Sequence, residues 1–147
     1  MRVLLAIDGS VYSTAAAEEV AGWLLPPNTE LRVVSAYQDP ALILTGNMEG
    51  TYTNPSTMAK KPAEEAVDKV AKLLKESYPN MPISTAVIVG SPKLVILNCA
   101  DSFGADLIVV GSHWRNAVER FLLGSISQAI SLHAKCSVEI VRKRNAK

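Results

Sequence analysis

A chain of 147 residues with a formal net charge of +1 has the length of one domain and no field strong enough to seek nucleic acid or a membrane surface. Apolar residues make up 48% of it and no apolar run approaches the ~18–20 residues of a membrane span, which leaves an ordinary α/β protein with room for a core. The two cysteines, Cys99 and Cys136, form no CxxC and have only His113 and His133 beside them, so they read as reduced core thiols of a cytosolic protein rather than zinc ligands.

Strands and helices alternate along the chain. Residues 2–7 form a continuous apolar strand of the kind buried on both faces of a parallel sheet. That strand is too short for the apolar core of an export signal and runs directly into Asp8-Gly9-Ser10. A helix is predicted over 13–25, where Ala16, Val20, Trp23 and Leu24 recur at helical spacing and Pro26-Pro27 stops it. A second strand covers 31–36. Residues 39–61 carry Gly46, Gly50, Asn54 and Pro55 without a period, so a mobile loop is expected, with a short helical turn near Ala41 to Leu44.

Pro62 opens the next helix, predicted to run to Ser77, with Ala66, Val67, Val70, Leu73 and Leu74 on its apolar stripe. A third strand spans 83–89. Ser91 caps a helix that has Pro92 in its first turn and ends at Gly104. The fourth strand covers 107–110. Ser125 to Ala134 reads as the last helix, with Ser125-Ile126-Ser127-Gln128 fitting a capping box, and Val138 to Val141 as the last strand. The basic residues Arg142, Lys143, Arg144 and Lys147 read as a solvated C-terminal segment.

Strands separated by helices of this length indicate an α/β fold: a single open five-stranded parallel sheet with helices on both faces. In such sheets ligands bind beyond the carboxyl ends of strands where the order reverses. The first strand ends in Asp8-Gly9-Ser10 and the fourth in Gly111-Ser112-His113, so these turns are the candidate crevice.

Each candidate has two readings, except Trp114, which has three. Asp8 accepts hydrogen bonds from a ribose or an adenine amine, or it bonds its own turn. Gly111 lets a phosphate or ribose approach the backbone, or it only turns the chain. Gly124 and Ser125 offer helix N–H groups and a hydroxyl to an anion, with Ser127 on the same turn, or they simply cap the helix. His113 and Arg115 meet phosphate charge, or they are solvated loop residues. Trp114 points outward, stacks on a base or partner, or fills the site; the retained ends of the motif favour the outward orientation.

These motifs together resemble the universal stress protein family over essentially the whole chain. Its nucleotide-binding branch carries Gly-x2-Gly-x9-Gly-Ser/Thr, and here Gly111, Trp114 and Gly124-Ser125 keep that spacing with one glycine replaced. Asp8-Gly9-Ser10, Val89-Gly90-Ser91-Pro92 and the run 104–113 are similar to the family as well. The resemblance implies strand order 3-2-1-4-5. It implies that Ala6, Asp8 and Ala36 lie near adenine and ribose, and that Gly111, His113, Trp114, Gly124, Ser125 and Ile126 surround ribose and phosphates. It also implies a homodimer through the last strand, Ser137 to Arg142, whose apolar edge is a liability unless paired.

The expectation is therefore a single-domain, cytoplasmic, homodimeric regulator of stress response that binds ATP, with or without Mg²⁺, and is not an enzyme. Its rivals are an interaction module whose site Trp114 blocks, and a slow ATPase. No nucleic-acid or membrane partner is expected.

Overall fold

The structure, a computed structural model, describes residues 1–39, 58–114 and 123–144. The strands are β1 (Arg2–Ala6), β2 (Glu30–Tyr37), β3 (Ile83–Val89), β4 (Leu107–Gly111) and β5 (Ser137–Val141), and the helices are α1 (Val11–Ala21), α2 (Lys60–Ser77), α3 (Pro92–Phe103) and α4 (Ser125–His133). All strand pairs are parallel, in the order β3-β2-β1-β4-β5. This is the expected sheet. The chain moves outward from β1 to β3, then returns to the other side of β1 with β4, so the order reverses between β1 and β4.

Side-chain alternation along the strands divides the core in two. Val3, Leu5, Ile7, Leu31, Val33 and Val109 pack with α1 and α2, while Leu4, Ala6, Val34, Ala36, Ile108 and Val110 pack with α3 and α4. Each full burial of such an aliphatic side chain contributes roughly 1.5–3 kcal/mol. Cys99 and Cys136 are free and belong to the α3/α4 side, and burial pushes both thiols above their ordinary pKa.

Helix boundaries depart from the sequence expectation where a cap, not a periodicity, sets them. Helix α1 starts at Val11 because Ser10 is its N-cap and its side chain accepts from the Ser13 N–H. It ends at Gly22, well before Pro26-Pro27. The hydroxyl of Tyr78 shares its proton between the carbonyls of Val20 and Trp23, so α2 supplies the end of α1 with a cap from another element. Helix α2 begins at Lys60 with Pro62 inside its first turn, where the missing N–H has no intrahelical partner to lose. Ser91 stands at the N-cap of α3 without a side-chain cap bond, and Gly104 closes that helix in the left-handed region at φ 70°. The N-cap of α4 is Gly124, which makes Ser125 the first helical residue and removes the predicted capping box.

The stretch expected as loop to Lys61 ends sooner. Met58 is buried, bridges to Tyr37, and accepts the Gln38 N–H through its carbonyl at 2.9 Å. The expected mobility over the rest of that loop and the turn near Ala41 to Leu44 lie outside the described residues. No helix among the described residues is long and apolar enough to cross a membrane.

Candidate functional site

The carboxyl ends of β1 and β4 meet at the reversal point, as the sheet order requires. Asp8 is 1% exposed there and its carboxylate holds the turn into α1. Its Oδ1 accepts the Ser10 N–H at 2.9 Å and the Ser10 hydroxyl at 2.6 Å, while the Asp8 N–H donates to Ser13 Oγ at 3.3 Å. Gly9 passes between them at φ 78°, a conformation glycine adopts without a Cβ penalty. Local hydrogen bonding therefore fixes the acid at the end of a central strand.

Gly111 does not turn the chain; it is the last residue of β4. A β-carbon on it would lie 2.7 Å from the Tyr12 carbonyl oxygen and 3.1 Å from the Ser13 nitrogen. Its smallness lets the first turn of α1 lie on the end of β4, a role that neither sequence reading anticipated. The approach is long-range, and no local pattern at Gly111 or Tyr12 marks it.

Beyond β4 the main chain is tied to α4. Gly124 donates its N–H to the Ser112 carbonyl at 2.9 Å, and Ser127 Oγ donates to the Gly111 carbonyl at 2.7 Å. A β-carbon on Gly124 would meet His113 Cα at 3.0 Å and the Ser112 oxygen at 3.1 Å. Ser127 is 1% exposed and acts as a tie between α4 and β4, not as a surface-facing donor. The N–H groups of Ser125, Ile126 and Ser127 stand in the first turn of α4, where a helix has no internal acceptors for them and carries partial positive charge. Ser125 itself is exposed.

His113 is not a solvated loop residue. It is 5% exposed, its ring centroid lies 5.0 Å from that of Tyr12, and its Nδ1 is 3.1 Å from Ser112 Oγ. Its Nε2 is buried and has no hydrogen-bond partner among the described residues. Arg115 lies outside the described residues.

Trp114 corrects the expectation most sharply. It does not point outward: it is 5% exposed and joins the core cluster on the α3/α4 side, together with Ala6, Ala36, Val95 and Val110, with Ile126 packed against that cluster. An indole brings a large apolar area that gains by leaving water. Ala6 and Ala36 are accordingly buried core residues. Two cavities bordered by described residues, of about 450 and 300 Å³, lie on the α1 side of the sheet, and neither is lined by Trp114, Gly124 or Ser125.

Among the described residues no group of three His, Cys, Asp or Glu side chains could hold a metal ion. Among those residues Asp8 is the carboxylate in the turn between β1 and α1, and its Oδ1 is already engaged by Ser10.

A five-stranded parallel sheet that reverses between β1 and β4, with a glycine-bounded helix N-terminus at the reversal, defines a Rossmann-like α/β domain. The chain belongs to the universal stress protein family, which it matches over residues 1–142. A relative from Staphylococcus epidermidis that carries the universal stress protein name is 33% identical over 141 residues, 95% of this chain and 82% of the relative. Two solved structures share the fold. One is a universal stress protein in complex with cAMP, 22% identical with a TM-score of 0.69, covering 97% of this chain and 96% of that one. The other is a universal stress protein family member from Arabidopsis thaliana with AMP bound, 18% identical with a TM-score of 0.68, covering 99% and 93%.

Proposed function

We propose that this protein is a regulatory stress-response domain that binds an adenine nucleotide, ATP foremost, across the carboxyl ends of β1 and β4, and acts through binding, not turnover. The observation that carries this reading is the buried Nε2 of His113, without a partner among the described residues, at the same strand end as the first-turn N–H groups of α4. A buried imidazole nitrogen left unpaired costs about 1–3 kcal/mol, a cost that a ligand oxygen or hydroxyl removes. The α4 N-terminus supplies the fixed positive pole that phosphates favour.

In this arrangement Ala6, Asp8 and Ala36 stand toward the base and ribose, and Gly111, His113, the main chain at Trp114, Gly124, Ser125 and Ile126 toward ribose and phosphates. The bound AMP and cAMP of the two fold relatives support the adenine class. Any Mg²⁺ would ride on the phosphate oxygens, as this ion does where a site offers one or two carboxylates. Binding fits better than turnover because no carboxylate among the described residues bonds Nε2 of His113, so among them the Ser112–His113 contact lacks the third member of a nucleophilic triad.

A second reading, an interaction module with a closed site, is favoured by the burial of Trp114. Under both readings we infer a homodimer through residues 137–142. Strand β5 pairs with β4 on one side and stands at the edge of the sheet, with Val138 and Ile140 only partly buried.

Calorimetric titration of the full chain with ATP, AMP and GTP tests the function. Saturable micromolar binding of an adenine nucleotide, with GTP silent, supports it. Silence from the folded parent chain and from a folded Trp114→Gly variant alike, with hydrogen-exchange patterns unchanged by ATP, rejects it in favour of the interaction module.

A further inference from the structure

The face of the sheet toward α3 and α4 has one irregular place. Leu4, Val34, Ile108 and Val110 are large, whereas Ala6 and Ala36, at the carboxyl ends of β1 and β2, are small. Side chains close-pack in such a layer, so two alanines leave a volume that something must fill. Trp114 belongs to that same cluster and is 5% exposed. Its backbone nitrogen also lies 3.5 Å from the point a β-carbon on Gly124 would occupy, which places the residue directly against the N-cap of α4.

We propose that Trp114 is an autoinhibitory gate: its indole, a planar aromatic group, occupies the base end of the crevice between β1 and β4 and must leave before an adenine enters. This rests on the nucleotide reading given above. The indole and the adenine compete for one volume, while the donors on α4 and His113 stay in place in both states. The binding-competent state is then a minor one, and the apparent affinity is reduced by its fractional population. The gate also makes the protein respond to high nucleotide levels instead of remaining saturated.

The test uses the full chain. Trp23→Phe leaves Trp114 as the only tryptophan. In that variant ATP should shift the emission to the red and raise acrylamide quenching, because the indole passes from the core to water. Separately, Trp114→Ala and Trp114→Gly should bind ATP about tenfold tighter or more, since each removes the competitor. Calorimetric ATP binding with unchanged emission and quenching overturns the gate and leaves the nucleotide reading standing. Absence of ATP binding in the parent chain and in both folded Trp114 variants overturns the nucleotide reading, and the gate with it. A silent parent with a binding Trp114→Gly supports the gate at its closed extreme. The emission experiment leaves position 114 intact, so it stands even if both substitutions there fail to fold.

Discussion

The carbonyl oxygen of Tyr12 lies 2.7 Å from the place a β-carbon on Gly111 would occupy. Helix α1 can rest its first turn on the end of β4 only because position 111 has no side chain. The contact joins β4 to the helix that follows β1, and backbone atoms on the Tyr12 side cannot swing away as a flexible side chain could. Gly111→Ala should therefore lower the unfolding free energy by about 1–3 kcal/mol, the usual cost of overpacking. Urea denaturation measures this, and an unchanged midpoint would show that the two elements separate freely.

His113 gives the sharpest separation of stability from binding. His113→Phe keeps an aromatic ring against Tyr12 and removes the buried Nε2, though it also takes a partner from Ser112 Oγ. The unfolding free energy is expected to stay level or rise by up to about 1 kcal/mol. Affinity for ATP is expected to fall roughly ten- to hundredfold, the worth of about 1.5–3 kcal/mol for a hydrogen bond to a charged group. Equal ATP affinity in the variant would remove His113 from the site.

Tyr78 links stability to alkaline pH. Burial raises its pKa above the ordinary 10.0. For a group so raised, the stability it contributes is complete below the unfolded value and is lost as pH climbs through the folded one. At neutral pH Tyr78→Phe should cost about 0.5–1.5 kcal/mol through the lost bond to the Val20 and Trp23 carbonyls. Above pH 10 the difference should close, because only the parent chain has a phenol to ionise. Denaturation at pH 8 and again above pH 10 checks both halves.

The β5 edge predicts assembly. A lysine on an edge strand blocks pairing with a second chain while its long stem still covers apolar surface. Ile140→Lys should convert a dimer to a monomer in sedimentation equilibrium with the circular dichroism retained. A parent chain that is already monomeric at tens of micromolar would rule out assembly through β5.

Much of the fold was legible because it depends on local rules. The apolar runs of β1 and β4, the αL glycine at 104 and the alternation of strand and helix are set within short windows of sequence, and they led to the observed sheet order once the family resemblance was added. Asp8 and Gly111 could be placed at one crevice for the same reason. Helix ends were less legible. Periodicity carried α1 to Leu25, but Gly22 and the distant Tyr78 hydroxyl end it at Ala21.

Within the site, the sequence by itself determined which chemical groups stand at the strand ends: an acid, a histidine, two motif glycines and a helix start. Backbone propensity and strand alternation are local, so they put those groups in place without reference to the rest of the chain. Only the tertiary structure decided what each group faces. Gly111 meets Tyr12, Gly124 gives its N–H to Ser112, and Trp114 turns into the core cluster that includes Ala6 and Ala36. Direction of this kind depends on the volume left by residues distant in the chain, and hydrophobic burial fills that volume with whatever apolar group can reach it.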